Sequence, residues 1–173
     1  YSVGLDDFLA LSVAEEAYSR WEDFTPTRPN DTPLRRWKVD TSAATDVTRR
    51  VSTTLSSSPD GRLGPGLYYV RLETDAESDP RYLAVVSNVN LTLKRAPREV
   101  LVWATDLRTA EPVAGLPVRV FADVAGAIAQ GTTGADGVFR APVAQVPDPW
   151  KPLVAVAQVD GRVVGAVGTG WSD

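Results

Sequence analysis

The chain of 173 residues contains no cysteine, no histidine and no methionine. Without cysteine and histidine there is no thiol nucleophile, no imidazole general base, no Ser-His-Asp triad and no zinc or haem site of the usual ligand types. Disulfide bonds are excluded as well. Because a complete translated chain begins with methionine and this one begins at Tyr1, we expect it to be part of a longer protein, with any secretion signal upstream.

The sequence also lacks a long apolar run and an excess of positive charge. Its longest apolar stretches, such as residues 153–157, are far shorter than the roughly 20 residues that cross a bilayer. With 18 basic and 22 acidic residues the net charge is −4, which gives no expectation of a basic face for a phosphate backbone. The composition therefore argues against nucleic acid as a partner and against a membrane span.

What the sequence does contain is short runs of alternating apolar and polar residues bounded by Gly, Pro, Asp and Asn, a pattern typical of antiparallel β-strands. The predicted buried faces of three such strands are Tyr68, Val70 and Leu72; Val89, Leu91 and Leu93; and Val118, Val120 and Ala122. Residues 99–106 are apolar on both faces, which predicts a central strand covered on both sides, with Trp103 in the core.

Turn signals separate these strands. Asp-Gly pairs at 60–61, 136–137 and 160–161 tolerate positive φ and suit tight hairpins. The last pair predicts a hairpin that joins residues 153–159 to residues 162–167.

The N-terminal stretch has a different pattern. Leu5, Leu9, Val13 and Trp21 fall near helical spacing, and residues 12–15 fit a capping box. We therefore predict a short helix around residues 13–20. The Pro-rich and polar residues 25–33 that follow predict an extended surface connection.

A recurring order of elements divides the chain between Ser87 and Val89. Each half ends with a Pro-containing turn, a strand, an acidic or Asp-Gly turn and a last strand. The sequence therefore predicts an all-β chain of two tandem antiparallel β-sandwiches of the Ig-like type, residues 1–87 and 88–173, with the helical and Pro-rich extension on the first.

Three motifs of the second half carry a family resemblance. They are V-L-V-W-A-T-D-L at 100–107, P-V-A-G-L-P-V at 112–118 and T-G-A-D-G at 133–137. Together they resemble the macroglobulin-like domains of bacterial alpha-2-macroglobulins. The run L-G-P-G-L-Y-Y-V at 63–70 is similar to a motif of the preceding macroglobulin-like domain of that family. The resemblance covers roughly residues 60–170.

The resemblance implies two consecutive macroglobulin-like domains from a protease trap, in which a bait segment is cut, a thioester captures the attacking protease and a cage of domains closes around it. The thioester motif Cys-x-x-Gln is absent here because the chain has no cysteine, and no segment looks like a bait. The implied role is a non-catalytic scaffold without a cofactor, in an extracytoplasmic location: periplasmic, cell-surface or secreted. Its partners would be neighbouring domains and, through the intact protein, target proteases, with movement concentrated between Ser87 and Val89.

The acidic residues offer no convincing active or metal site. Asp6 with Asp7, Glu15 with Glu16, and Asp46 are candidates for paired carboxylates, but nothing in the sequence brings any two groups into one cleft. Structural calcium needs several loop oxygens together, and Asp60, Asp136 and Asp160 are each explained as turn residues. We therefore predict no catalytic, cofactor-binding or metal-ligating residue, and no enzyme activity.

The tryptophans are the remaining candidates. Trp150 lies in the irregular, Pro-rich stretch 147–152, and Trp171 lies beyond the last predicted strand. We predict that both pack against neighbouring domains. The alternative is an Ig-like binding module of a secreted adhesin or carbohydrate-active protein, which would show an exposed row of aromatic residues on one sheet. Trp37 and Tyr69 could begin such a row.

Overall fold

The computed structural model describes residues 1–13, 33–40, 42, 44–73, 80–144 and 150–169. Within these ranges the chain forms one helix and nine antiparallel strands, listed in chain order: α1 (Leu5–Ser12), β1 (Gly66–Arg71), β2 (Arg81–Val86), β3 (Val89–Ala96), β4 (Glu99–Asp106), β5 (Pro117–Phe121), β6 (Ala127–Thr132), β7 (Val138–Pro142), β8 (Val154–Val159) and β9 (Arg162–Gly168).

The second half is an antiparallel β-sandwich. A three-stranded sheet in the order β3-β4-β7 and a four-stranded sheet in the order β6-β5-β8-β9 enclose a common core. Leu91, Val100 and Val102 of the first sheet are buried with Val118 and Val120 of the second. The predicted all-β sandwich class is therefore confirmed, as are the inner faces predicted for the strands now numbered β3 and β5.

The first half contributes a hairpin of β1 and β2, extended by the N-terminal residues. Ser2 forms a β-bridge with Tyr68, and the Tyr69 and Val3 N–H groups donate to the carbonyls of Tyr1 and Leu67 at 3.0 and 2.9 Å. Residues 1–3 therefore lie antiparallel to β1 on the edge opposite β2.

This hairpin and α1 cover the outer face of the four-stranded sheet. A second buried cluster contains Val3, Phe8, Leu9, Val13, Leu67 and Tyr69 from the first half, and Phe121, Val154, Val156 and Val163 from the second. Strand β8 is buried on both faces because its alternate residues enter the two clusters. The division into domains at 87/88 stays a prediction, and β2 ends and β3 begins on either side of it.

The predicted orientation of β1 is wrong. Leu67 and Tyr69 are buried, whereas Leu72, predicted to be inside, is 44% exposed. Residues 66–72 are apolar on both faces, so alternation alone does not decide which face meets the core.

The predicted core position of Trp103 is also wrong. Strand β4 is central in its sheet, as predicted, but only one face of that sheet meets the sandwich core, and Trp103 lies on the other face with 43% exposure. The strand covered on both faces is β8, which follows from the unbroken apolar run at 153–157.

The described helix lies before the residues 13–20 for which a helix was predicted. It spans Leu5–Ser12, so Ser12 is its last residue and not its N-cap. Leu5, Phe8 and Leu9 form the apolar stripe that faces the second cluster, and Asp6 lies in the first turn, where the helix dipole favours negative charge. The predicted helical residues 14–20 and the connection 25–32 lie outside the described residues.

The turn predictions are confirmed in part. Asp160 and Gly161 have φ of 49° and 75° and close the predicted hairpin, with Val159 paired to Arg162. Gly137 also has positive φ, but Asp136 and Gly137 connect β6 and β7 across different sheets and so do not close a hairpin of paired strands.

Candidate functional site

The acidic candidates that the structure describes lie on two separate elements. Asp6 and Asp7 are in the first turn of α1, and Asp46 lies in an exposed turn with φ of 60°. Glu15 and Glu16 lie outside the described residues. In the ranges that the structure describes, no group of three or more His, Cys, Asp or Glu side chains could hold a metal ion.

The loop aspartates use their oxygens to hold turns. Asp60 Oδ1 accepts from the Arg62 N–H and Asp136 Oδ1 accepts from the Val138 N–H, both at 3.0 Å. The bond from Arg62, followed by one from Ser58, lowers the pKa of Asp60.

Asp106, which sequence reasoning did not single out, accepts from more donors than either of these aspartates. Its Oδ1 accepts from the backbone N–H groups of Thr109 at 2.9 Å and Arg108 at 2.8 Å, and these bonds lower the pKa of Asp106. A carboxylate held ionised by backbone donors at an exposed turn stabilises the β4–β5 connection and is poorly suited to proton transfer at neutral pH.

Trp150 lies on the surface of the described residues. It is 90% exposed and immediately precedes Lys151, whose carbonyl accepts from Arg95 Nη1 at 3.0 Å. That bond holds the segment that leads into β8 against β3. Trp21 and Trp171 lie outside the described residues, so the docking role predicted for Trp171 stays a prediction.

Trp37 and Tyr69 do not form an exposed aromatic row. Tyr69 is 2% exposed and belongs to the second buried cluster. Trp37 is half-buried beneath the Arg35 guanidinium, which lies 4.5 Å from the ring centroid, and its indole N–H donates to Thr53 Oγ1 at 2.8 Å. On the fully described strands β3, β4 and β7, Trp103 is the single aromatic residue that faces outward.

The same residues line a cleft that the sequence analysis missed. It has a volume of about 80 Å³ and lies between β1 and the irregular segments on either side of residue 50; its lining residues are Tyr1, Leu34, Arg35, Trp37, Leu55, Leu63, Tyr68, Tyr69, Val70 and Arg71. No local pattern marks it, because its walls come from segments far apart in the sequence.

Arginine side chains organise the surroundings of this cleft. Arg35 Nη1 donates to the carbonyls of Thr54 and Ser56, the latter at 2.7 Å, and so holds the two irregular segments together. Glu73 accepts from both Arg71 and Arg36, the second at 2.9 Å, and these bonds lower the pKa of Glu73.

The junction between the halves is fixed by contacts. Ser87 Oγ accepts from the Val89 N–H at 2.9 Å and lies within hydrogen-bond distance of the Val164 carbonyl in β9. A Cβ on Gly165 would lie 3.3 Å from Ser87 Oγ and from the Val89 carbonyl. Together with the shared second cluster, this close packing argues against the movement expected between Ser87 and Val89.

The comparisons with known proteins agree with this architecture. The sequence matches no protein-family model and no curated protein. The structure is similar to native alpha-2-macroglobulin from Escherichia coli spanning domains MG0-NIE-MG1, with a TM-score of 0.51 and 15% identity over 64% of this chain. The chain shares its fold with a bacterial alpha-2-macroglobulin. It covers 35% of that fragment, or about a third of its length.

A shorter fragment of the same Escherichia coli alpha-2-macroglobulin, spanning NIE-MG1, has a TM-score of 0.49 and 17% identity, over 62% of this chain and 50% of that one. The resemblance of the sequence to macroglobulin-like domains agrees with the fold that the chain shares with the longer fragment. No helix in the described ranges is long and apolar enough to cross a membrane.

Proposed function

We propose that the chain is a non-catalytic structural segment of a bacterial alpha-2-macroglobulin-like endopeptidase inhibitor, located outside the cytoplasm as a periplasmic, cell-surface or secreted protein. The observation that carries this proposal is the macroglobulin fold. Asp60, Asp106 and Asp136 support it, because each of these carboxylates accepts a backbone N–H bond that holds a turn. In this proposal residues 1–87 and 88–173 are successive modules of the scaffold.

The mechanical role of the segment follows from its two buried clusters. Strands β5 and β8 contribute side chains to both, so a displacement of α1 and β1 relative to the sandwich would expose apolar surface from Phe121, Val154 and Val156. The segment would therefore move as one body when the whole protein is cleaved, and would pass the movement to the modules at its two ends.

A protease assay tests the proposed function. Residues 1–173, added in molar excess, are expected to leave the hydrolysis of a protein substrate by trypsin unchanged, because a scaffold segment cannot enclose a protease. The longer protein that contains the segment is expected to slow the same reaction. Inhibition by residues 1–173 alone would contradict the scaffold role, and an inactive longer protein would contradict the protease trap.

We assign Trp150 to the contact with a neighbouring module. A tryptophan side chain exposed at 90% in a loop at the end of the sandwich provides a large apolar surface that such a contact would bury. Trp150→Ala is expected to leave the free energy of unfolding of residues 1–173 within about 0.5 kcal/mol, and to lower the melting temperature of the longer protein. An unchanged melting temperature of the longer protein would contradict the assignment of Trp150 to this contact.

A further inference from the structure

Adjacent basic residues occur at three places in the sequence: residues 35–36, 49–50 and 94–95. An endoprotease whose binding pockets carry carboxylates recognises such a pair through its two cationic side chains. It also needs the backbone around the pair to be free, because a protease binds its substrate as an extended strand through main-chain hydrogen bonds. The folded structure therefore decides which of the three pairs such an enzyme can cut.

Two of the pairs are held by the fold. Residues 94–95 lie within β3, which pairs with β4 along its whole length. In the pair 35–36, Arg35 donates to two backbone carbonyls and Arg36 donates to Glu73 at 2.9 Å. Cleavage at 94–95 would require a strand to leave its sheet, and cleavage at 35–36 would require both side chains to leave their partners.

The pair 49–50 lies in an open segment. Residues 47–55 are in neither helix nor strand, and all of them except Val51 are exposed. Within the described part of the chain, the backbone groups of residues 48–52 form no hydrogen bond. Arg49 donates to the Ser42 carbonyl at 2.6 Å, a single bond at the surface. Exposed polar segments of this kind are preferred sites of proteolytic cutting.

Contacts on either side of this segment close its base. Trp37 Nε1 donates to Thr53 Oγ1 at 2.8 Å, and Arg35 Nη1 donates to the carbonyls of Thr54 and Ser56, the second at 2.7 Å. Further from the segment, α1 and β1 are packed together in the second buried cluster. A break in the open segment would therefore leave the parts of the chain on its two sides joined.

We propose that residues 49–50 are a processing site for an endoprotease that recognises paired basic residues. Hydrolysis would break the bond between the carbonyl carbon of Arg50 and the nitrogen of Val51 and consume one water, which gives a carboxylate at Arg50 and an amino group at Val51. The pieces, residues 1–50 and 51–173, would stay together as one folded two-chain protein. This site goes beyond the scaffold role, because it gives the segment a covalent modification and an enzyme partner of defined specificity.

Digestion of folded residues 1–173 with a kexin-type endoprotease, which cuts after paired basic residues, tests the proposal. Mass spectrometry is expected to show that the first cut leaves new ends at Arg50 and Val51. Arg50→Gln is expected to slow this cut about a hundredfold or more, because a pocket built for a cation is left without its partner. Arg36→Gln is the matched change in the pair 35–36, and is expected to leave the rate of this cut unchanged.

Short peptides with blocked ends separate recognition of the sequence from access in the fold. Peptides centred on each of the three pairs are expected to be cut at similar rates, because a free peptide presents every pair equally. The proposal is overturned if the peptide for 49–50 resists cleavage, or if the other two peptides resist it, since the fold would then not be what selects the site.

Three results with the folded protein would also overturn the proposal. They are no cut at 49–50, a cut at 35–36 or 94–95 that is as fast, and a rate that Arg50→Gln and Arg36→Gln change equally. Size-exclusion chromatography of the cut protein is expected to give one peak at the position of the uncut protein. Fragments that elute separately would contradict the two-chain form.

Discussion

Gly137 shows how a single residue holds two parts of the sandwich together. Its φ of 73° lies in the left-handed region, its carbonyl accepts from the Ala104 N–H at 2.9 Å, and a Cβ there would lie 2.5 Å from the Ala104 carbonyl and 3.0 Å from Pro112 Cβ. Only glycine combines this backbone conformation with so close an approach to β4. The β6–β7 crossover is therefore set by the absence of a side chain.

We predict that Gly137→Ala lowers the free energy of unfolding by about 3 kcal/mol or more, because left-handed strain adds to a backbone clash. The matched control is Gly115→Ala, where φ is 69° but no atom lies within 4 Å of the added Cβ. That variant is expected to lose only about 1 kcal/mol. Urea denaturation of both variants gives the comparison, and equal losses would show that the clash with Ala104 has no part in the effect.

At the residue scale, the backbone conformation of turn residues could be predicted from the sequence, whereas the exposure of a side chain could not. The positive φ of Gly61, Gly137 and Gly161 follows from Asp-Gly pairs, because the turn is decided by two adjacent residues. The exposure of Trp103 depends on which sheet its strand joins and what covers that sheet. Those facts are determined by partners distant in the sequence.

At the scale of elements, α1 stabilises the fold through its packing. It has eight residues and no side-chain cap, so it would be marginal in isolation. Phe8 is fully buried with Leu9 against the outer face of the four-stranded sheet. The helix is therefore held by tertiary contacts with strands more than 100 residues further along the chain.

We predict that Phe8→Ala lowers the free energy of unfolding by about 3 kcal/mol or more, the usual cost of deleting a buried aromatic ring. Leu107→Ala is the control, because Leu107 is 60% exposed in the turn after β4 and its truncation is expected to change stability by about 0.5 kcal/mol at most. Denaturation followed by circular dichroism measures both. A Phe8→Ala variant as stable as the control would mean that α1 contributes nothing to the folded state.

The strands show when apolar alternation predicts the buried face and when it does not. Strand β3 has one clearly apolar face, and strand β5 has one apolar face and one face of mixed polarity. The core-facing residues of both strands were therefore predicted correctly. Phe121, which alternates with the core-facing residues of β5, points away from the sandwich core but is buried under the first half. Strand β1 is apolar on both faces, and its inward face was predicted wrongly for that reason.

At the scale of the whole molecule, the two halves share one of their two cores. The repeat of element order predicts two modules divided between Ser87 and Val89, and Phe8, Leu67 and Tyr69 of the first half pack in one cluster with Phe121 and Val156 of the second. The cleft beside β1 also arises at this scale, because residues near 35, 55 and 70 converge there. Neither the shared core nor the cleft can be predicted from any single stretch of the sequence.

The central claim is that the chain acts as one rigid scaffold body, and native-state hydrogen exchange tests it most directly. We predict that the bonded amides of β1 exchange with the same opening free energy as those of β8, within about 1 kcal/mol, because both open only when the shared cluster separates. Amides of β1 and α1 that exchange with an opening free energy several kcal/mol below that of β8 would contradict the claim. They would show that the first half detaches while the sandwich stays folded.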